Sequence, residues 1–281
     1  MTTPGIIRRL SLCKAVSHVI SRRGVNFSAG MLAVMRRAAS AAPVDVPLFV
    51  ICEARTGSTL LCDYLDSHPM VCSKFEILNR GQIPALRYAR SPDDIHYYLD
   101  ALWKAMPAKI RCGKIHFTHF DDYRIGPDHL VQWFPRARFL VLYRASLLDQ
   151  YVSHKLAQVT GRWIATCPGD EIRRSITLDL DELCEFAETT SRRYTELLHH
   201  PALSGRHATI SYESLVADTP GVFENTIWPF IRIPPAPVAT TLRKQNRLSL
   251  EACVDNLKEV RAAVKSSHIS VPLESFDPER A

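Results

Sequence analysis

Five short β-rich runs, with four helical patterns lying between them, narrow what this chain can fold into. "PLFVIC", "VCSKFE", "RCGKIHF", "RFLVLY" and "HATISY" begin at residue 47, and helical periodicity covers 58–68, 91–106, 147–160 and 180–199. Short buried runs alternating with helices predict an α/β three-layer sandwich, a central parallel sheet covered on both faces. In such sheets ligands bind beyond the carboxyl ends of the strands. That rule puts Arg55, Glu76, His116 and Arg144 on one rim. A length of 281 residues suits one domain with a sizeable core. It is expected over residues 45–281, with Pro234, Pro235 and Pro237 marking a turn before the last helices.

The charge is unevenly spread. Residues 1–44 carry seven basic side chains (Arg8, Arg9, Lys14, Arg22, Arg23, Arg36, Arg37) and no acid. Subtracting those seven from the net charge of +6 leaves residues 45–281 at −1. The body is near neutral, so a nucleic-acid partner is not indicated. The first 44 residues read as a basic, amphipathic helical extension. A packed helix is the plainest reading, and an arm on an anionic membrane surface or a transit peptide are the others. The eight cysteines show neither CxxC nor a Cys/His ligand spacing, as expected of buried thiols in a reduced compartment. A cytoplasmic protein is expected, with peripheral contact at the inner face of the membrane an option through the arm.

At "FVICEARTGSTLL" an apolar run ends in a polar turn and a helical pattern begins. Gly57 allows close backbone approach, and the amides of Gly57, Ser58 and Thr59 open a helix whose free N–H groups and dipole favour an anion. Arg55 adds a fixed positive charge, and Thr56, Ser58 and Thr59 add hydroxyls. A plain strand-to-helix turn would also use a glycine and a serine. A nucleotide-hydrolysing loop would need GxxxxGK[ST] and an acid for magnesium. Neither is evident, so the expected ligand is an anion held without a metal. Two further basic patches follow: Arg144 after "VLY", with Ser153 nine residues on, and Arg243–Lys244 in "TLRKQN".

Taken in order, "RTGSTLL", "YRASLLDQYVS", "ISYESL" and "LRKQN" resemble the motifs of sulfotransferases that use 3′-phosphoadenosine 5′-phosphosulfate. The resemblance runs from about residue 47 to 265 and is nearest to the bacterial branch acting on carbohydrates and lipids. It implies a sulfotransferase fold like that of P-loop nucleoside triphosphate hydrolases. It also implies that Arg55, Thr56, Gly57, Ser58 and Thr59 hold the 5′-phosphosulfate. Arg144 and Ser153 would take the 3′-phosphate, Arg243 and Lys244 would close over it, and Tyr212 would lie near the adenine. Two positions depart from the pattern. Ala54 replaces a common proline, and the step from Arg144 to Ser153 is one longer than the usual eight.

Sulfuryl transfer needs in-line positioning, a base for the acceptor hydroxyl and cations at the leaving oxygen. Arg55, always charged, serves as a clamp and not as a proton donor. Two bases are available. Glu76 ends the second strand, where the bacterial branch places its proposed base. His116, two after Lys114, resembles the Lys/His pair of the cytosolic branch and titrates near neutrality. The first loop favours Glu76 slightly, with His116 and Lys114 close by. The expected reaction is transfer of sulfate from that co-substrate to a hydroxyl of a carbohydrate or glycolipid, with no metal. The partner is then the acceptor itself, and a homo-oligomer is left open. The alternatives are a nucleotide-dependent kinase and a non-catalytic, membrane-associated protein retaining the fold. Acceptor specificity is expected from 77–110 and 160–180.

Overall fold

The computed structural model describes residues 46–106, 108–163, 174–242, 249–265, 273 and 275–280. Five parallel strands form one sheet in the order β2-β3-β1-β4-β5, with β1 Val46–Cys52, β2 Val71–Glu76, β3 Ile110–His116, β4 Arg138–Tyr143 and β5 His207–Ser211. β1 is central, and all seven of its residues are buried. Its side chains alternate between the faces: Phe49 and Ile51 enter one apolar cluster, Leu48, Val50 and Cys52 the other. A strand buried on both faces reads as a continuous apolar run, which is what "PLFVIC" is.

Helices cover both faces. α1 (Ser58–Asp66) supplies Leu61, Cys62 and Leu65 to the Leu48 face. α2 (Pro92–Ala105) packs Ile95, Tyr98, Leu99 and Leu102 on the Phe49 face. It begins where Ser91, through its amide and hydroxyl, bonds Asp94 Oδ2 at 3.0 and 2.9 Å, a reciprocal cap ahead of Pro92. Between β3 and β4 lie α3 (Phe117–Tyr123) and α4 (Pro127–Trp133), each seven residues long. Neither shows in the apolar pattern of the sequence, because two turns are too short to show a stripe. α5 (Leu147–Thr160) and α6 (Leu180–Leu198) follow, capped by Ser146 and Asp179. α7 (Tyr212–Ala217) springs directly from β5.

One irregularity bears on the site. Lys74 pairs with Gly113 but Glu76 pairs with Lys114, so β2 carries one extra residue between them. Such a bulge reverses which face the following side chain takes. Without it Glu76 would pair with Ile115; with it, Glu76 and Lys114 share a face.

Candidate active site at the carboxyl rim

The loop after β1 is held from all sides. Glu53 N donates to the Tyr194 hydroxyl (3.0 Å), and Glu53 Oε1 accepts from Ala54 N (2.9 Å). Gln150, fully buried in α5, donates to Ala54 O at 2.8 Å. Thr56 Oγ1 donates to Glu53 O (2.9 Å), and Arg144 Nη1 to Arg55 O (3.4 Å). Arg55 and Gly57 both sit at positive φ, 67° and 80°. For Arg55 this costs about 1–2 kcal/mol, a strain typical of ligand-binding loops. Gly57 is required twice over, since a Cβ there would also lie 2.8 Å from Tyr212 Cε2. The reversal delivers the first turn of α1, whose leading amides have no intrahelical acceptor.

Cations gather around this turn. Arg55 Nε donates to Ser153 Oγ (3.0 Å) and Nη1 to Trp163 O (2.7 Å). Arg144 lies over the Tyr212 ring at 4.8 Å, and its Nε is buried without a hydrogen bond, 3.9 Å from Glu213 Oε1. The Glu213 carboxylate accepts from Ala145 N (2.9 Å) and Ser146 N (3.3 Å), fixing the turn from which Arg144 projects. Burial, then the charge of Arg144, lowers the Arg55 pKa to about 10. It remains protonated at neutral pH, and two crowded guanidinium groups make the place attractive to an anion.

Below the loop lies an acid–base cluster. Lys114 Nζ, buried, is 3.1 Å from Glu76 Oε1 and donates to Thr59 Oγ1 at 3.3 Å. The Asn79 amide donates to Glu76 Oε2. Burial alone would raise the Glu76 carboxyl, but Lys114, His116 and the Asn79 amide outweigh it and hold it at about 2. His116 Nε2 is 4.0 Å from Glu76 Oε1 and makes no hydrogen bond. Burial and then Lys114 push the His116 pKa down to about 3. The His119 ring stacks on that of His116 (centroids 5.3 Å apart), and its Nδ1 accepts from His116 N at 3.2 Å.

Glu76, His116 and His119 each bring a potential metal ligand, all within 4.8 Å of one another. The donor set does not fit a cation. The Lys114 ammonium occupies the Glu76 oxygen, and a neutral His119 whose Nδ1 accepts a backbone N–H carries its proton on Nε2 and has no lone pair there to ligate with.

The structure thus brings together Arg55, Thr56, Gly57, Ser58, Thr59, Glu76, Lys114, His116, Arg144, Ser153 and Tyr212. The extra residue before Ser153 is absorbed, since its hydroxyl meets Arg55. Thr56 is fully buried and its hydroxyl bonds the loop's own carbonyl, so it braces the loop and does not face a ligand with its side chain. Ser58 is also buried. Arg243 and Lys244, the arm over 1–44, and 164–173 within the expected specificity segment lie outside the described residues. Sequence reasoning passed over Glu53, Gln150, Tyr194 and Glu213, which hold the loop and the Arg144 turn. Nothing in their spacing marks them. His119 did carry a signal, standing three after His116 at a helix start.

Fold and rim together define an α/β protein in which two guanidinium groups crowd a strand-to-helix turn beside a buried acid–base cluster. No protein-family model and no curated protein matches the chain. Among solved structures it is similar to a sulfotransferase from Alicyclobacillus acidocaldarius (16% identity, TM-score 0.46, 80% of this chain and 92% of that one). It is also similar to a sulfotransferase domain from the curacin biosynthetic pathway (15%, 0.43, 85% and 96%). A third is a sulfotransferase domain from the Synechococcus PCC 7002 olefin synthase (17%, 0.44, 70% and 76%). Among the described residues, no helix is long and apolar enough to cross a membrane.

Proposed function

We propose that the protein is a sulfotransferase that binds 3′-phosphoadenosine 5′-phosphosulfate at this rim. It would pass the sulfuryl group to a hydroxyl of a carbohydrate or glycolipid acceptor. The observation that carries the reading is the convergence of Arg55, Arg144 and Lys114 on the first turn of α1, with Glu76 and His116 immediately below. The residues that would hold the donor are the amides of Gly57, Ser58 and Thr59 with Arg55 for the phosphosulfate, and Arg144 with Ser153 for the 3′-phosphate. Tyr212, packed on Gly57 and beneath Arg144, offers a ring face beside them.

In the proposed step the acceptor oxygen forms a bond to sulfur as the bond from sulfur to the bridging oxygen breaks. Adenosine 3′,5′-bisphosphate leaves, and Arg55 and Lys114 oppose the charge growing on it. The acceptor proton needs a base. Glu76, gripped by Lys114 and Asn79, is a weak one. His116 keeps Nε2 unengaged, with Glu76 Oε1 4.0 Å away to stabilise an imidazolium. The geometry therefore favours His116 as proton acceptor with Glu76 behind it, a change from the slight preference the loop motif gave to Glu76.

A kinase reading is the competitor. It fits less well, because the rim carboxylate that magnesium would use is already neutralised by Lys114. The test is a thermal-shift titration. Adenosine 3′,5′-bisphosphate without magnesium should stabilise the protein by mass action. Arg144→Ala should weaken binding roughly tenfold to a hundredfold, the worth of a charged hydrogen bond at about 1.5–3 kcal/mol. Stabilisation by ATP with magnesium but not by the bisphosphate would overturn the reading.

A further inference from the structure

The amino end of the sheet, opposite the rim, is basic. The connections that lead into β2, β3, β4 and β5 are 67–70, 106–109, 134–137 and 199–206, and none contains an Asp or Glu. Lys109, Arg136 and Arg206 lie in them, Arg111 and Arg138 lie at the starts of β3 and β4, and Arg232 follows the helical turn Trp228–Ile231. Several of these meet in space. Arg206 O accepts from Phe139 N at 2.9 Å, and Arg206 Nη1 donates to Pro135 O. Arg138 Cζ stands 5.2 Å from the centre of the Phe230 ring, where partial burial and then the charge of Arg232 lower its pKa. Lys109 O accepts from Val46 N (3.4 Å) at the start of central β1.

Acids do not cancel this edge. Asp100 and Glu196, near the ends of α2 and α6, are matched by Lys104 and Arg192. Asp66, which ends α1 and accepts from Ser73 N (2.6 Å), and Asp45 before β1 stand against the six bases. The edge thus carries +4, which leaves the rest of residues 45–281 at −5. Among the described residues, Arg136, Arg138 and Arg232 have no carboxylate partner, and Arg136 and Arg232 are exposed. The chain before Val46 joins the fold at the middle of this edge, and its first 44 residues add seven bases and no acid. Apolar residues are interleaved with those bases, a pattern suited to lipid that a phosphate backbone would not need. Helices α1, α2, α4 and α6 bring their carbonyl ends to the edge, so they build no cradle of N–H groups for a single phosphate. A positive field spread over several connections matches an extended anionic surface.

We propose that the amino edge of the sheet, with Arg136, Arg138, Arg206 and Arg232 foremost, is a docking face for an anionic lipid membrane. The face adds to the basic arm and orients the molecule on the surface. Strands rise about 3.3 Å per residue, so β1 holds the carboxyl rim roughly 20 Å from the lipid and turned away from it. Of the acceptors proposed above, a carbohydrate in solution is the one that reaches that rim. The docking face itself does not depend on the sulfotransferase reading.

The test is co-sedimentation of the full-length protein with phosphatidylcholine vesicles, with and without phosphatidylglycerol, at low and high salt. The protein should bind the anionic vesicles alone and be released by salt. Arg136→Gln and Arg232→Asn should each weaken that binding roughly fivefold, from about 1 kcal/mol per basic side chain at an anionic surface. Both side chains are exposed, and Asn tolerates the positive φ of 56° at position 232, so the melting temperature should not move. Arg87→Gln removes an exposed charge beyond the carboxyl end of β2 and should leave binding unchanged. Vesicle binding that survives both edge variants would assign the lipid contact to the arm alone and overturn the face. An equal loss in Arg87→Gln, no binding to either vesicle, or a preference for duplex DNA over the anionic vesicles would overturn it as well.

Discussion

Lys114 Nζ lies 3.1 Å from Glu76 Oε1, on the face of the sheet to which the β2 bulge turns the carboxylate. This ammonium bears on the protonation of both neighbours. It leads the groups that hold Glu76 ionised, adds to the burial that disfavours a proton on His116, and braces Thr59 at the start of α1. The acid–base pair and the first turn of α1 share this residue.

The first prediction ranks the two bases. His116→Asn should lower kcat roughly 10²–10⁴-fold, the usual worth of a general base, with bisphosphate affinity unchanged. Glu76→Gln keeps the shape and should cost less, through a less stabilised imidazolium. Single-turnover sulfuryl transfer on both variants measures this. The opposite order would return the base to Glu76.

A second prediction follows from the shared lysine. In the empty protein burial and then Lys114 keep His116 neutral, with a pKa of about 3. A bound polyanion offsets the cationic field, which favours the charged imidazole and raises that value. Titration of the His116 ring by NMR, with and without adenosine 3′,5′-bisphosphate, should show an upward shift on binding. An unmoved ring would mean that the phosphates do not sit beside Lys114.

Much of this was legible in the chain. The five β-rich runs became the five strands almost residue for residue, most clearly at β1, where burial on both faces demands an uninterrupted apolar sequence. The rim residues Arg55, Glu76, His116 and Arg144 follow from strand ends alone. Other features were not legible. The bulge at Lys74/Glu76 leaves no local mark in "VCSKFE", yet it decides which face Glu76 takes. Thr56 looked like a ligand hydroxyl because composition cannot say which side of a loop is inside. Glu53, Gln150 and Tyr194 act across 96 to 141 residues of separation, which no local pattern encodes.

The third prediction concerns acid. His116 is lowered in the fold from 6.5 to about 3, and Glu76 from 4.5 to about 2. As pH falls below 6.5, the unfolded chain takes up a proton at His116 that the folded chain resists. Below 4.5 the same holds for Glu76. The unfolded state binds more protons throughout, so stability falls with falling pH and recovers on raising it. Urea midpoints at pH 7 and pH 4 should show the loss, and it should be smaller in His116→Asn. An identical pH dependence in the variant would refute it.

The last prediction concerns Arg193, which joins the loop after β1 to α3, the helix that carries His119. Its Nη2 lies 2.6 Å from Asp121 Oδ2 on α3 and its Nη1 3.7 Å from Glu53 Oε2, the carboxylate that also accepts from Ala54 N. The guanidinium further covers Phe117, the residue after His116, at 6.0 Å from the ring centre. Burial raises the Glu53 pKa, and the Ala54 amide and then Arg193 oppose it. Arg193→Ala leaves that carboxylate buried with one partner fewer, a loss on the order of 1–3 kcal/mol. Loop and helix would then move independently, so the KM for the donor should rise and kcat should fall together. Arg193→Lys restores the charge but has only one compact head to reach two acids. It should recover thermal stability more fully than it recovers kcat. If Arg193→Ala lowered stability and left both kinetic constants intact, the residue would be a strut for α6 and nothing more.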